Sequence, residues 1–221
     1  MSATPLLVRT GLAARIVDIV RDRIVAGELS EDGAIRQDAL AAELGVSKIP
    51  LREAFAKLEQ EGLVLAKANR GYFVRPLSAA EAYDVFELRL KIEPDAVAAA
   101  CAKASPGDIL VARAALAALN ASAAGGKAAA GPLNRAFHMA LVRPCARPVT
   151  IQTTERLQII AERYVVHHLQ ASGRPDRAIG EHEALFAAWE AKDRTASAKL
   201  CSAHIQGTLN DLTIELGRKP S

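Results

Sequence analysis

The chain has 221 residues, half of them hydrophobic and about a quarter charged, with 28 Lys+Arg against 25 Asp+Glu. This excludes a disordered polymer, and no apolar run approaches the ~20 residues that a membrane-spanning helix needs. The near-neutral balance, eleven basic to ten acidic residues in 1–75 and seventeen to fifteen beyond, excludes bulk basicity as an argument for a nucleic-acid partner. The three cysteines, Cys101, Cys145 and Cys201, are odd in number and far apart, unlike a disulfide or zinc-ribbon framework. Arg9 and Arg15 interrupt the N-terminal apolar stretch where a secretory leader needs a hydrophobic core. A cytoplasmic protein of one large or two small domains is expected.

Alanine-rich stretches with Leu, Ile and Val at three- and four-residue spacing predict a mainly α-helical protein. The first helices fall at 9–26, 37–44 and 48–61, punctuated by Gly27, Gly33 and Gly45. At 62–75 two short apolar runs flank Asn69, Arg70 and Gly71, which reads as a β-hairpin. Pro76, Leu77 and Ser78 mark a domain boundary, separating 1–76 from 77–221. Helices at 79–103, capped by Ser78, and at 106–122, 132–143, 148–171, 176–192 and 195–216 follow and make an all-α bundle. Pro94, Pro106, Pro132, Pro144, Pro148 and Pro175 supply most of the breaks, since proline lacks the amide that a helix interior requires. The stretch 118–132 is a loop or an alanine-rich extension, with Gly125, Gly126 and Gly131 favouring at least a partial loop.

The segment 38–64, DALAAELGVSKIPLREAFAKLEQEGLV, has a short helix, a glycine turn and a second helix, the layout of a helix-turn-helix. Gly45 permits the reversal, Val46 is placed to pack inward, and Ser47 to cap the second helix. That helix would present Lys48, Ile49 and Arg52 from its first turn to base edges and phosphates, aided by its N-terminal amides. Arg70 and Gly71, at the hairpin tip, would form a wing on the duplex backbone or minor groove. In this order of turn, S-K-x-P-x-R-E, E-G-L-V and wing glycine, residues 16–75 resemble the winged helix-turn-helix of the GntR family of bacterial transcription regulators. The resemblance implies a DNA-contacting set of Arg36, Ser47, Lys48, Ile49, Pro50, Arg52 and Gly71, with Lys48 where the family more often has arginine.

In the second region, His182 and His204 each lie eleven residues from Asp193. If the last two helices turn there, both histidines stand ~16 Å along their helices, side by side. Asn134 and His138 are four apart and share a helix face. The order N-x-x-x-H, E-H, H resembles the FCD effector domain of the FadR-like GntR subgroup, over about 79–215. That resemblance implies a divalent metal held by Asn134, His138, His182 and His204. Asn134 stands where many members carry aspartate, so the site loses a negative charge and favours Zn or Ni over Mn or Mg. It also implies a small organic acid as effector, held by Arg89 in ELRLKIEPDAVAAA, unless Glu93 pairs with that arginine instead. Tyr164, His167 and His168 have no assigned role.

The expectation is a ligand-responsive regulator rather than an enzyme. It would bind a pseudo-palindromic double-stranded DNA operator as a homodimer and be relieved of repression by its effector, with the linker around Pro76 and Leu77 as the mechanical coupling. Two alternatives stand beside it: a metal-dependent hydrolase using the histidine cluster, and a metal-free regulator of acyl-ligand type.

Overall fold

The computed structural model describes residues 6–29, 32–122, 127–168 and 174–216, with side chains over 11–29, 32–122, 131–166 and 177–216. The chain divides into two compact units, Met1–Pro76 and Leu77–Ser221.

In the first unit, α1 (Leu6–Val25), α2 (Gln37–Glu43) and α3 (Lys48–Glu61) precede a hairpin of β1 (Val64–Lys67) and β2 (Gly71–Val74). Ile16, Val20 and Ile24 of α1 recur every fourth residue, and Leu51, Phe55 and Leu58 of α3 every third or fourth. Each set therefore lies on one helix face, and all six side chains are buried. Both α2 and α3 end at glycines in the left-handed region, Gly45 at φ 65° and Gly62 at φ 85°. The amides that follow reach five residues back, from Val46 to Ala41 at 2.9 Å and from Leu63 to Leu58 at 3.0 Å. These are Schellman closures, which only a residue tolerant of positive φ makes without strain.

Beneath the core, Arg21 Nε and Nη2 donate to the two carboxylate oxygens of Glu61, both at 2.8 Å. Burial alone would lower the Arg21 pKa, but the hydrogen bonds to Glu61 and Asp18 outweigh it and raise the pKa. The strands pair antiparallel in register Val64 to Val74 and Lys67 to Gly71. Their turn closes through Arg70 N–H to the Lys67 carbonyl at 2.9 Å, with Asn69 at φ 58°. Phe55 of α3 stacks on Tyr72 of β2, centroids 4.8 Å apart, which locks the hairpin to the second helix of the motif.

Ser47 takes the cap position of α3 with extended backbone, but its side chain makes no cap hydrogen bond. The residue is exposed, so water competes for the hydroxyl. Val46, expected to pack inward, is half-buried.

The second unit comprises α4 (Ala79–Lys103), α5 (Pro106–Ser122), α6 (Lys127–Val142), a 3₁₀ turn (Arg143–Cys145), α7 (Pro148–His168), α8 (Arg174–Glu190) and α9 (Arg194–Glu215). Helix α4 packs against α6, α7, α8 and α9 around a core that includes Phe86, Phe137, Leu141, Tyr164, Trp189 and Ile205. The indole of Trp189 donates to the Leu141 carbonyl at 3.1 Å. Ser78 caps α4 through Glu81 N–H at 3.1 Å. Tyr164 completes that start, accepting from Ser78 N–H at 3.1 Å and donating to Glu81 at 2.7 Å.

Two proline breaks expected from sequence are absent, since Pro94 lies inside α4 and Pro132 inside α6. A helix-interior proline costs about 3 kcal/mol. Burial of Phe86 before Pro94 and of Ala96, Val97 and Ala100 after it carries α4 through. Gly131 is also helical rather than part of a loop. A Cβ there would collide with the Glu162 carboxylate, whose Cδ would be 3.0 Å away, so the glycine serves close approach of α7. Residues 123–126 of the expected loop lie outside the described residues. No helix among those described is long and apolar enough to cross a membrane.

Candidate functional site

In the first unit, Arg36 at the start of α2, Lys48, Ile49 and Arg52 on the first turn of α3, and Arg70 on the hairpin turn are all exposed. Ser47 is exposed too, while Pro50 and Gly71 are half-buried. Ile49 is 59% exposed, an apolar side chain with no core to join and available to a thymine methyl. Among the described residues, Arg36, Arg52 and Arg70 form no ion pair. Lys48 does: its Nζ lies 2.7 Å from Asp38 of α2. Sequence spacing along α3 could not show this, because the partner comes from the other helix of the motif. The pair is solvated, with side chains 59% and 77% exposed, so it contributes at most about 1 kcal/mol and a phosphate can replace the carboxylate. Gly71 sits at φ 87°, and a Cβ there would stand 3.2 Å from Gln37 Nε2. The wing therefore approaches the start of α2 closely. Lys67, 4.2 Å above the Phe73 ring, adds a further cation on the hairpin.

In the second unit, His138 of α6, His182 of α8 and His204 of α9 converge, each with a ligand nitrogen within 4.8 Å of the others. The short connection at Asp193, whose carboxylate caps α9 through Ala196 N–H at 2.9 Å, sets the register of α8 against α9. His182 Nε2 and His204 Nε2 are 3.3 Å apart. That separation suits a hydrogen bond in which one Nε2 keeps its proton. It equally suits two ligands of one ion, since nitrogens ~2.0–2.1 Å from a tetrahedral metal stand ~3.3 Å apart.

All three histidines are buried, and His138 Nε2 has no hydrogen-bond partner among the described residues. Burial first, then the neighbouring histidines and Arg89, push the His138 pKa well below its ordinary value. Burial and His204 lower that of His182 to about 3. Imidazoles held neutral, with a buried nitrogen lacking a partner, are the state a divalent ion requires of its ligands. The residues present therefore fit a metal.

His204 is also oriented, its Nδ1–H donating to Glu181 Oε2 at 2.7 Å. Asn134, four residues before His138, lies half-buried on the same face of α6. The side chains of His167 and His168 lie outside the described residues.

Arg89 is buried on α4, and its charge is felt at His138. Its Nε and Nη2 donate to Glu93 at 2.6 and 3.3 Å, and Gln158 of α7 donates to the same carboxylate at 2.8 Å. The alternative partner considered from sequence is thus engaged, and an incoming acid meets a guanidinium already neutralised on one edge. Sequence reasoning missed Asp38, Gln158 and the role of Glu181. For Glu181 the signal was present, as the acidic half of the E-H dipeptide.

Residues 12–74 match the family described as bacterial regulatory proteins, gntR family, and residues 84–207 match the FCD domain. The Nta operon transcriptional regulator of Aminobacter aminovorans is 44% identical over 79 residues, 36% of this chain and 38% of that protein. The HTH-type transcriptional repressor GlaR of Escherichia coli K12 is 28% identical over 195 residues, 84% of this chain and 89% of that one. Among solved structures, E. coli McbR/YncC superposes with a TM-score of 0.80 over 93% of this chain and 99% of its own, at 21% identity, which shows a shared fold.

Proposed function

Because the chain belongs to the GntR family of bacterial regulatory proteins and carries an FCD domain, and so is a DNA-binding transcriptional regulator and not an enzyme, we propose that it is a metal-containing, ligand-responsive repressor. Residues 1–76 form the DNA-reading domain and 77–221 the effector-binding and dimerisation domain. Two copies bind a pseudo-palindromic operator in the cytoplasm, α3 of each entering a major groove, with half-sites about one helical turn apart. Arg36, Ser47, Lys48, Ile49, Pro50, Arg52, Arg70 and Gly71 make the contacts. The E. coli relative that spans most of the chain is named a repressor, which supports the sign.

The observation that carries the ligand reading is the convergence of three buried histidines on a partnerless His138 Nε2. His138, His182 and His204, with Asn134, would hold a divalent ion, Zn or Ni being best suited to a neutral, imidazole-rich set. When bound, the ion supplies a positive anchor for a small carboxylate effector. Arg89 offers its remaining guanidinium edge to a second oxygen, while Glu93 and Gln158 fix its orientation. For release, the effector must bind the DNA-incompetent arrangement more tightly than the competent one, since equal affinity shifts nothing.

The test joins two measurements on the full chain. A mobility shift on candidate operators should be sequence-selective and weaken steeply with salt. Native mass spectrometry of untagged protein should show a dimer carrying one metal, and an acid, per chain. Salt-insensitive or absent DNA binding refutes the operator reading. A metal-free, ligand-free chain whose DNA binding no carboxylate alters refutes the effector reading.

A further inference from the structure

We propose that Glu181 is the positioning residue of the histidine cluster: it holds His204 in the tautomer that turns an unprotonated Nε2 toward His138 and His182, and so makes that nitrogen a better ligand. The inference rests on the metal reading above. Its structural core, the tautomer, does not.

The geometry is specific. His204 has two ring nitrogens facing different chemistry, Nδ1 at 2.7 Å from the Glu181 carboxylate and Nε2 at 3.3 Å from His182 Nε2. A carboxylate accepts only, so Nδ1 carries the proton and Nε2 presents its lone pair to the cluster. Neither His138 nor His182 has a carboxylate contact of this kind among the described residues.

Glu181 is itself held. Arg177, one turn earlier on α8, places Nε 3.2 Å from Glu181 Oε1 and pairs through Nη2 with Asp211 of α9. The other carboxylate oxygen, Oε2, faces His204. Glu93, beside Arg89 on α4, is committed to Arg89 and Gln158. The direct donors Asn134, His138, His182 and His204 are neutral as ligands, so a carboxylate bonded behind His204 favours a dication there. A histidine that donates to a carboxylate is a more basic ligand through its other nitrogen.

The experiment compares the full-length wild type with Glu181→Ala, Glu181→Gln and His138→Ala. Zn²⁺ affinity is measured by competition against a chromogenic chelator, and histidine tautomers by ¹⁵N-correlated NMR of the metal-free chains. Glu181→Ala should weaken Zn²⁺ binding by 10–100-fold, the usual effect of removing such a partner. It should also convert His204 from a single Nδ1–H tautomer to a mixture. Glu181→Gln, whose amide oxygen can still accept from Nδ1–H, should restore the tautomer while recovering only part of the affinity, a split that a merely structural role would not give. An unchanged tautomer and unchanged affinity in Glu181→Ala overturns the proposal. If His138→Ala loses Zn²⁺ while Glu181→Ala keeps it, the metal reading survives and this inference fails. If the wild type binds no Zn²⁺, the metal reading fails, and the His204 tautomer alone then decides for or against the positioning role.

Discussion

Loading the histidine cluster should stabilise the Leu77–Ser221 unit, and linkage sets the size of the effect. An ion that binds the folded state alone contributes RT ln(1 + [M]/Kd), about 2.7 kcal/mol when free metal is 100-fold above Kd. At about 2–4 °C of melting temperature per kcal/mol for a domain of this size, addition of Zn²⁺ to chelator-treated protein should raise the transition by ~5–11 °C. The ligands converge only in the fold, arriving from α6, α8 and α9, so the unfolded chain offers no competing preformed site. His138→Ala removes one of three imidazoles and should reduce the metal-dependent increment to within ~1 °C. The baseline also falls because a buried ring is deleted, so the increment is the readout. Differential scanning calorimetry of each chain with EDTA, then with buffered free Zn²⁺, makes the measurement. No shift in the wild type, or an equal shift in His138→Ala, refutes the reasoning.

Arg52→Ala, at an exposed residue, should weaken operator binding by about 1–3 kcal/mol in a mobility shift while leaving the melting curve unchanged. Asp38→Asn should strengthen DNA binding by up to about 1 kcal/mol, because Lys48 no longer has to leave a carboxylate, and weaker binding would show the pair to be an organising contact. Glu61→Ala should cost about 3–5 kcal/mol in urea unfolding, since it strands a buried Arg21 whose remaining partner, Asp18, is largely solvated; the double variant Arg21→Met with Glu61→Leu should regain most of it. Gly131→Ala should cost about 1–3 kcal/mol in urea unfolding, because the buried Glu162 carboxylate, paired with Arg135, must shift to admit the methyl.

Local chemistry in the chain determined the elements and their punctuation. Gly45 and Gly62 end helices because positive φ is cheap only there, and apolar spacing in α1 and α3 marks the faces that are buried. The helix and hairpin order of the DNA-reading unit follows from such short-range signals. So does the level placement of His182 and His204, eleven residues on either side of Asp193 and 3.3 Å apart in the fold. Tertiary structure decided what depends on partners distant in sequence. Pro94 and Pro132 do not end their helices because packing on neighbouring helices outweighs one lost hydrogen bond, and Gly131 is helical because α7 presses on it. Lys48 meets Asp38 from another helix, Arg89 meets Glu93 with Gln158 added from α7, and Tyr164 ties the start of α4 to α7. Which nitrogen of His204 carries the proton is settled by Glu181, one helix away. Periodicity reports which side of a helix is buried; the charge and hydrogen-bonding state of a side chain belong to the neighbours that folding brings to it.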